Sequence, residues 1–307
     1  GTSGSFVGNV TDNATLAEDH SNTVTWTTTI LGTGAFIQIG AGITIFNVAE
    51  SYGGGTTVSN GTLQLGANGS LASSGAVAVS GGTFDLGTLI QTTGALSLTA
   101  GLIEDGTLDS SAFGVQAGAA SAVFGGSGAL TKTGSGIVTL SGANMYSGGT
   151  TIDAGTLQIA GSGTLGAATG LVTVSGGTLD LGATTQTAGP LSLTAYLIQA
   201  GRLDSAAFGV AAGTVSTVFA GSGALTKSGG GTVVLTAANI YSGGTVISGG
   251  MLQLGDGGSS GSLVGNATDD ATFAVDRSDT YTFAGSVTGT GAFEQIGSGT
   301  TILTTSN

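Results

Sequence analysis

The sequence predicts an all-β stack of coils, a β-solenoid, and three observations carry that prediction. A 36-residue motif returns at nearly fixed spacing; 61 of 307 residues are glycine while only Pro190 is proline; and apolar residues alternate with polar ones at period two. Self-similarity over tens of residues marks stacked architectures, because each unit buries its apolar face only against its neighbours.

The motif occupies residues 126–161 (GSGALTKTGSGIVTLSGANMYSGGTTIDAGTLQIAG) and 221–256, with a drifted copy at 32–67 and a partial one at 289–307. Successive copies start 94, 95 and 68 residues apart. The spacers at 1–31, 68–125, 162–220 and 257–288 repeat as well: VSGGTFDLG at Val79 returns as VSGGTLDLG at Val174, and the first spacer returns as the last. The sequence reads as a length cut from an array. Length alone predicts about two domains, but no stretch shifts composition enough to mark a linker. Residues 1–307 are therefore expected to form one continuous fragment.

The strands follow from the motif. In Thr57–Gly66, Val58 precedes an Asn60-Gly61 bend, after which Leu63 and Leu65 alternate with Thr62 and Gln64. Alternation places both leucines on one face and the polar pair on the other. The same layout recurs around Gly155 and Gly250, so glycine rather than Asn60 is what the bend retains, as a positive φ requires. Helix is disfavoured by glycine, Thr and Val, and no 3.6-residue stripe develops. At ~20–24 residues and ~4.8 Å per coil, each period predicts about four coils, and the chain a rod of ~60–70 Å.

Composition excludes several classes. Glycine without a three-residue period is not collagen, and 40% hydrophobic with 7% charged residues is the reverse of a disordered chain. No cysteine is present, which leaves no disulfide or thiolate site and suits export through a pore. A net charge of −13 with four scattered cations argues against nucleic acid and anionic membranes as partners. No apolar run approaches the ~20 residues of a spanning helix, and runs broken after four to seven residues argue against transmembrane barrel strands, so no direct membrane insertion of this segment is expected. No targeting segment is visible at Gly1.

Gly-Ser-Gly-Ala-Leu-Thr-Lys (126–132), Leu-Ser-Gly-Ala-Asn (140–144), Tyr-Ser-Gly-Gly-Thr (146–150) and Gly-Thr-Leu-Gln (155–158) together resemble the passenger-associated transport repeat of bacterial autotransporters. The resemblance covers 126–161 and 221–256 well, 32–67 loosely and 289–307 in part. It implies a right-handed parallel β-helix passenger, displayed at the cell surface of a Gram-negative bacterium or secreted. Its implied role is adhesion, self-association or biofilm formation, with a host-cell or matrix receptor or like passengers as partner. An alternative is a folding module that assists passenger secretion.

Candidate chemistry is sparse, and neither a catalytic residue nor a cofactor is expected. Gly257–Gly261 matches the GxSxG nucleophile pattern around Ser259, but that chemistry needs a strand–turn–helix and a histidine base. The lone histidine, His20, aligns with Arg277 in the sister spacer and reads as an exposed polar position. Gly161–Gly166 matches GxGxxG with no helix to follow. Lys132 and Lys227 have Gln38 and Gln295 as sisters, which reads as a long polar side chain at a strand end. A β-helix polysaccharide lyase would gather carboxylates and cations in one groove, and four dispersed cations disfavour it. Tyr52, Tyr146 and Tyr241 precede Gly-rich turns and are expected to pack over corner glycines, hydroxyl at the surface. Asp12, Asp19, Asp269 and Asp270 are candidates for holding Ca²⁺, against the simpler expectation of solvated acidic loops.

Overall fold

The computed structural model describes residues 8–306, and every regular element among them is a β-strand. Residues 1–7 and 307 of the expected stack lie outside the described residues. Two compact units are present, Gly1–Gly149 with Gly161–Ala167, and Thr150–Ala160 with Ala168–Asn307. Each unit is a stack of parallel β-coils, a β-solenoid.

In the first unit two parallel sheets wrap the core. One contains Ala35–Gln38, Thr56–Val58, Val77–Val79 and Ala129–Lys132; the other contains Ile43–Phe46, Thr62–Leu65, Thr83–Asp85 and Ile137–Leu140. Each strand is three to four residues of alternating burial, which suits β-branched residues on a pleat with one dry face. Register stacks like on like: Phe36 pairs with Thr56, then Val77, Leu96, Phe113 and Leu130. Beside it runs Gln38, Val58, Val79, Leu98, Val115 and Lys132. Each buried Leu, Val or Phe contributes roughly 1.5–3 kcal/mol over exposure, and these columns are the core.

This register corrects the coil count. Five coils, of 20, 21, 19, 17 and 17 residues, separate Phe36 from Leu130, where about four were expected. The spacer coils are short because Ile90–Leu98 and Thr107–Val115 are nine-residue strands that continue through what is elsewhere a loop. There the coil gains a third face, with Val123–Gly125 paired onto Thr107–Asp109.

The second unit repeats the plan. Thr150 pairs with Val172, then Leu191, Phe208, Leu225, Thr245, Ala267 and Val287. Its third face is a separate three-stranded sheet of Thr185–Ala188, Arg202–Ser205 and Val218–Ala220.

The bend between the two main sheets demands glycine for two reasons. Gly61 and Gly250 have φ of 58° and 65°, in the left-handed region, as does Gly155 at 66°. A Cβ on Gly61 would also stand 2.3 Å from the Gly40 carbonyl of the coil beneath.

Candidate functional site

Polar side chains turned inward occur at two corners in each of the three full motif copies. At the first corner, the strand ends in Gln38, Lys132 or Lys227, each fully buried. Gln38 Nε2 donates to the Gly40 and Gly42 carbonyls at 3.0 and 3.4 Å. Lys132 Nζ donates to Thr133 and Gly134 O, and Lys227 Nζ to Ser228, Gly229 and Gly249 O at 2.7–3.0 Å. Burial lowers both lysines below the ordinary ammonium range. The polar strand end expected from the sequence thus points into the core, where it ties down turn carbonyls that would otherwise go unmet.

The exchange of Gln for Lys is matched six residues on. Thr44 Oγ1 donates to Gln38 Oε1 at 2.5 Å, and Thr301 does the same for Gln295. Val138 and Val233 stand at the corresponding places beside Lys132 and Lys227. The reason is the donor inventory: an amide brings an acceptor oxygen that needs a donor, whereas an ammonium has none to satisfy.

At the other corner the tyrosines overturn an expectation. Tyr52, Tyr146 and Tyr241 are buried, hydroxyl included, at 1%, 0% and 0% exposure. Tyr52 Oη and Tyr241 Oη bond Thr56 and Thr245 at 2.7 Å, and burial pushes both phenols upward. Their rings complete aromatic clusters: Phe113 stacks on Phe124 at 4.7 Å and meets Tyr146 at 5.6 Å, while Phe208 stacks on Phe219 at 4.4 Å and meets Tyr241 at 5.7 Å.

His20 likewise is buried rather than exposed. Nε2 lies 2.9 Å from Glu18 Oε2 and Nδ1 2.9 Å from Asn22 O, while Trp26 Nε1 donates to Glu18 Oε1. Its sister Arg277 is also buried; it donates to Asp279 through Nε and Nη2 and to Gly261 O, and its guanidinium lies 4.8 Å above the Tyr281 ring. Both spacers place a basic group inward to hold a coil corner.

The carboxylates proposed for calcium are not brought together. Asp12 Oδ1 accepts from Ala14 N, and Asp19 is exposed on the following bend. Asp269 is buried, so it is no solvated loop residue; it accepts from Ala271 N and burial raises its carboxyl above the usual range. Asp270 faces outward and accepts from Thr290. Among the described residues no three His, Cys, Asp or Glu side chains converge on a point where a metal ion would sit. Ser259 lies on an exposed bend, and no helix follows Gly161–Gly166.

A buried ladder escaped sequence reasoning. Asn144 Oδ1 accepts from Phe124 N and Asn239 Oδ1 from Phe219 N, each twenty residues back. Asn144 Nδ2 donates to Thr164 O and Asn239 Nδ2 to Ser262 O, on the coil above. The Leu-Ser-Gly-Ala-Asn string held the signal, but nothing in it says that Asn points inward.

Comparison with known proteins agrees with the repeats. The family model described as passenger-associated-transport-repeat matches residues 36–65, 130–159 and 225–254. Over 183 residues, the chain is 33% identical to the Adhesin BmaC autotransporter of Brucella suis biovar 1 (strain 1330), an alignment that covers 58% of this chain and 5% of that protein. The chain therefore spans only a small fraction of that relative's length. No solved structure matches it. The chain thus carries three matches to the passenger-associated transport repeat, each folded as parallel β-coils, and over 58% of its length it is similar to an autotransporter adhesin.

Proposed function

We propose that this chain is a non-catalytic scaffold segment of a surface-displayed or secreted passenger of a Gram-negative bacterium, serving adhesion to a host-cell or matrix receptor or association with like passengers, as in biofilm formation. The observation that carries the reading is the likeness to an autotransporter adhesin over more than half of the chain. The use made of the polar groups supports it: the inward Lys, Gln, Tyr, Asn, His and Arg side chains described above all hold corners. Outward positions such as Thr57, Thr62 and Gln64 are short polar side chains on a pleated face, suited to broad hydrogen-bonded contact. Sedimentation of the purified chain across concentration, with binding to immobilised matrix proteins in parallel, tests the two modes. A strict monomer that binds none of a broad panel refutes the adhesive reading.

The repeat's own description favours a second role, in transport of the passenger. Deleting residues 126–256 from the full-length protein tests it, because normal surface display after the deletion would count against that role.

A further inference from the structure

In the first motif copy, the position held by Asn144 and Asn239 is occupied by Glu50. Glu50 is buried at 4% exposure, and its Oε2 accepts from Ile30 N at 2.5 Å, again twenty residues back. The acceptor half of the asparagine ladder is thus reproduced. The donor half is not: Glu50 Oε1 is buried with no hydrogen-bond partner, whereas Asn144 and Asn239 donate from this place to the coil above. Two coils further on, Gln91 likewise uses both ends of its amide, accepting from Leu71 N and donating to Leu71 O on the coil beneath. A carboxylic acid is the near-isostere of that amide, one acceptor and one O–H donor; a carboxylate is two acceptors.

Among the described residues no cation is paired with the group. Tyr52 on the same coil is the ionisable neighbour, and it bonds Thr56. On the coil below, Asp12 caps Ala14, and Glu18 is engaged by His20 and Trp26. On the coil above, Ser70–Gly75 contains no ionisable side chain, and Asp85 is held by Gln64 and Gly87 N.

We propose that Glu50 is carried as the neutral acid and that its proton is a latch, joining the Ile30 coil to the Ser70 coil and releasing when the carboxyl ionises. The acceptor is Ser70 O, the counterpart of Thr164 O, which already receives Glu50 N at 2.8 Å. Consistent with the geometry, burial raises this carboxyl to about 7. The sign follows from proton uptake on folding: the contribution is complete below the unfolded value near 4.5, falls as pH rises from there to about 7, and is absent above. Motif copy one is therefore acid-tightened, and copies two and three are not.

Hydrogen exchange on the intact chain reads this directly. Protection of the Ile30 amide, corrected for intrinsic rate, is expected to fall on the order of tenfold to a hundredfold between pH 5 and pH 8. The Phe124 and Phe219 amides, held by asparagines, are the internal references and stay flat. Glu50→Gln flattens the Ile30 profile, and Asn144→Asp installs the dependence at Phe124. Should Glu50→Gln fold poorly, the three wild-type amides still decide: an Ile30 profile parallel to both references overturns the proposal, as does a Glu50→Gln chain that keeps the wild-type slope.

Discussion

Exchanging Lys227 for Gln and Val233 for Thr moves one corner of the third motif copy onto the chemistry of the first. Lys227→Gln alone keeps donors for two of the three turn carbonyls but buries an Oε1 with no donor beside it, since Val233 is fully buried and apolar. Val233→Thr alone buries a hydroxyl beside an ammonium that cannot accept from it and whose three donors are already spent on Ser228, Gly229 and Gly249 O. An unsatisfied buried group costs about 1–3 kcal/mol, so each single change is expected to destabilise by about that amount. In the double variant the two orphans face each other, as Gln38 and Thr44 do at 2.5 Å. The coupling energy is then about 2–3 kcal/mol, at the upper end for directly bonded neighbours. Urea unfolding of the four proteins, followed by far-ultraviolet circular dichroism, closes the cycle. If the two changes add to within about 0.5 kcal/mol, the matched exchange of Gln–Thr for Lys–Val is coincidence and the argument from donor inventory fails.

Two further substitutions test the corners. Gly250→Ala places a Cβ 2.2 Å from Gly231 O at φ 65°, so a loss of at least about 2 kcal/mol is expected, and an unchanged denaturation midpoint would mean that the corner relaxes freely. Tyr241→Phe removes the bond to Thr245 but keeps the ring on Phe208; about 1–2 kcal/mol should be lost, measured as a lower midpoint with near-native packing, whereas Tyr241→Ala should cost about 3–5 kcal/mol.

How much of this was legible depended on whether the information was periodic. Leu63 and Leu65 against Thr62 and Gln64 gave strand and face at once, because alternation needs no tertiary knowledge. The family resemblance was equally local, carried by strings such as Tyr-Ser-Gly-Gly-Thr. Where a polar residue points was not legible. His20, Lys132 and Tyr146 are types usually found with a polar end in water, and only the stacked carbonyls of adjacent coils make their inward placement favourable. The coil count failed for a related reason: nothing local announces that Thr107–Val115 continues through a corner, since the alternation pauses for a single step at Ser111. Comparing copies misled over His20, because variation to Arg277 was read as exposure when both are basic groups filling one buried demand.

The unequal coils nevertheless close on a whole number per period. In the first unit Phe36 and Leu130, 94 residues apart, stand in one column, so the period is also a splice length. Removing residues 36–129 would leave Leu130 in the column that Phe36 occupies, with Lys132 taking the place of Gln38. A change of length by that period keeps every inward residue in its column, whereas a deletion of arbitrary similar size would shift them off it.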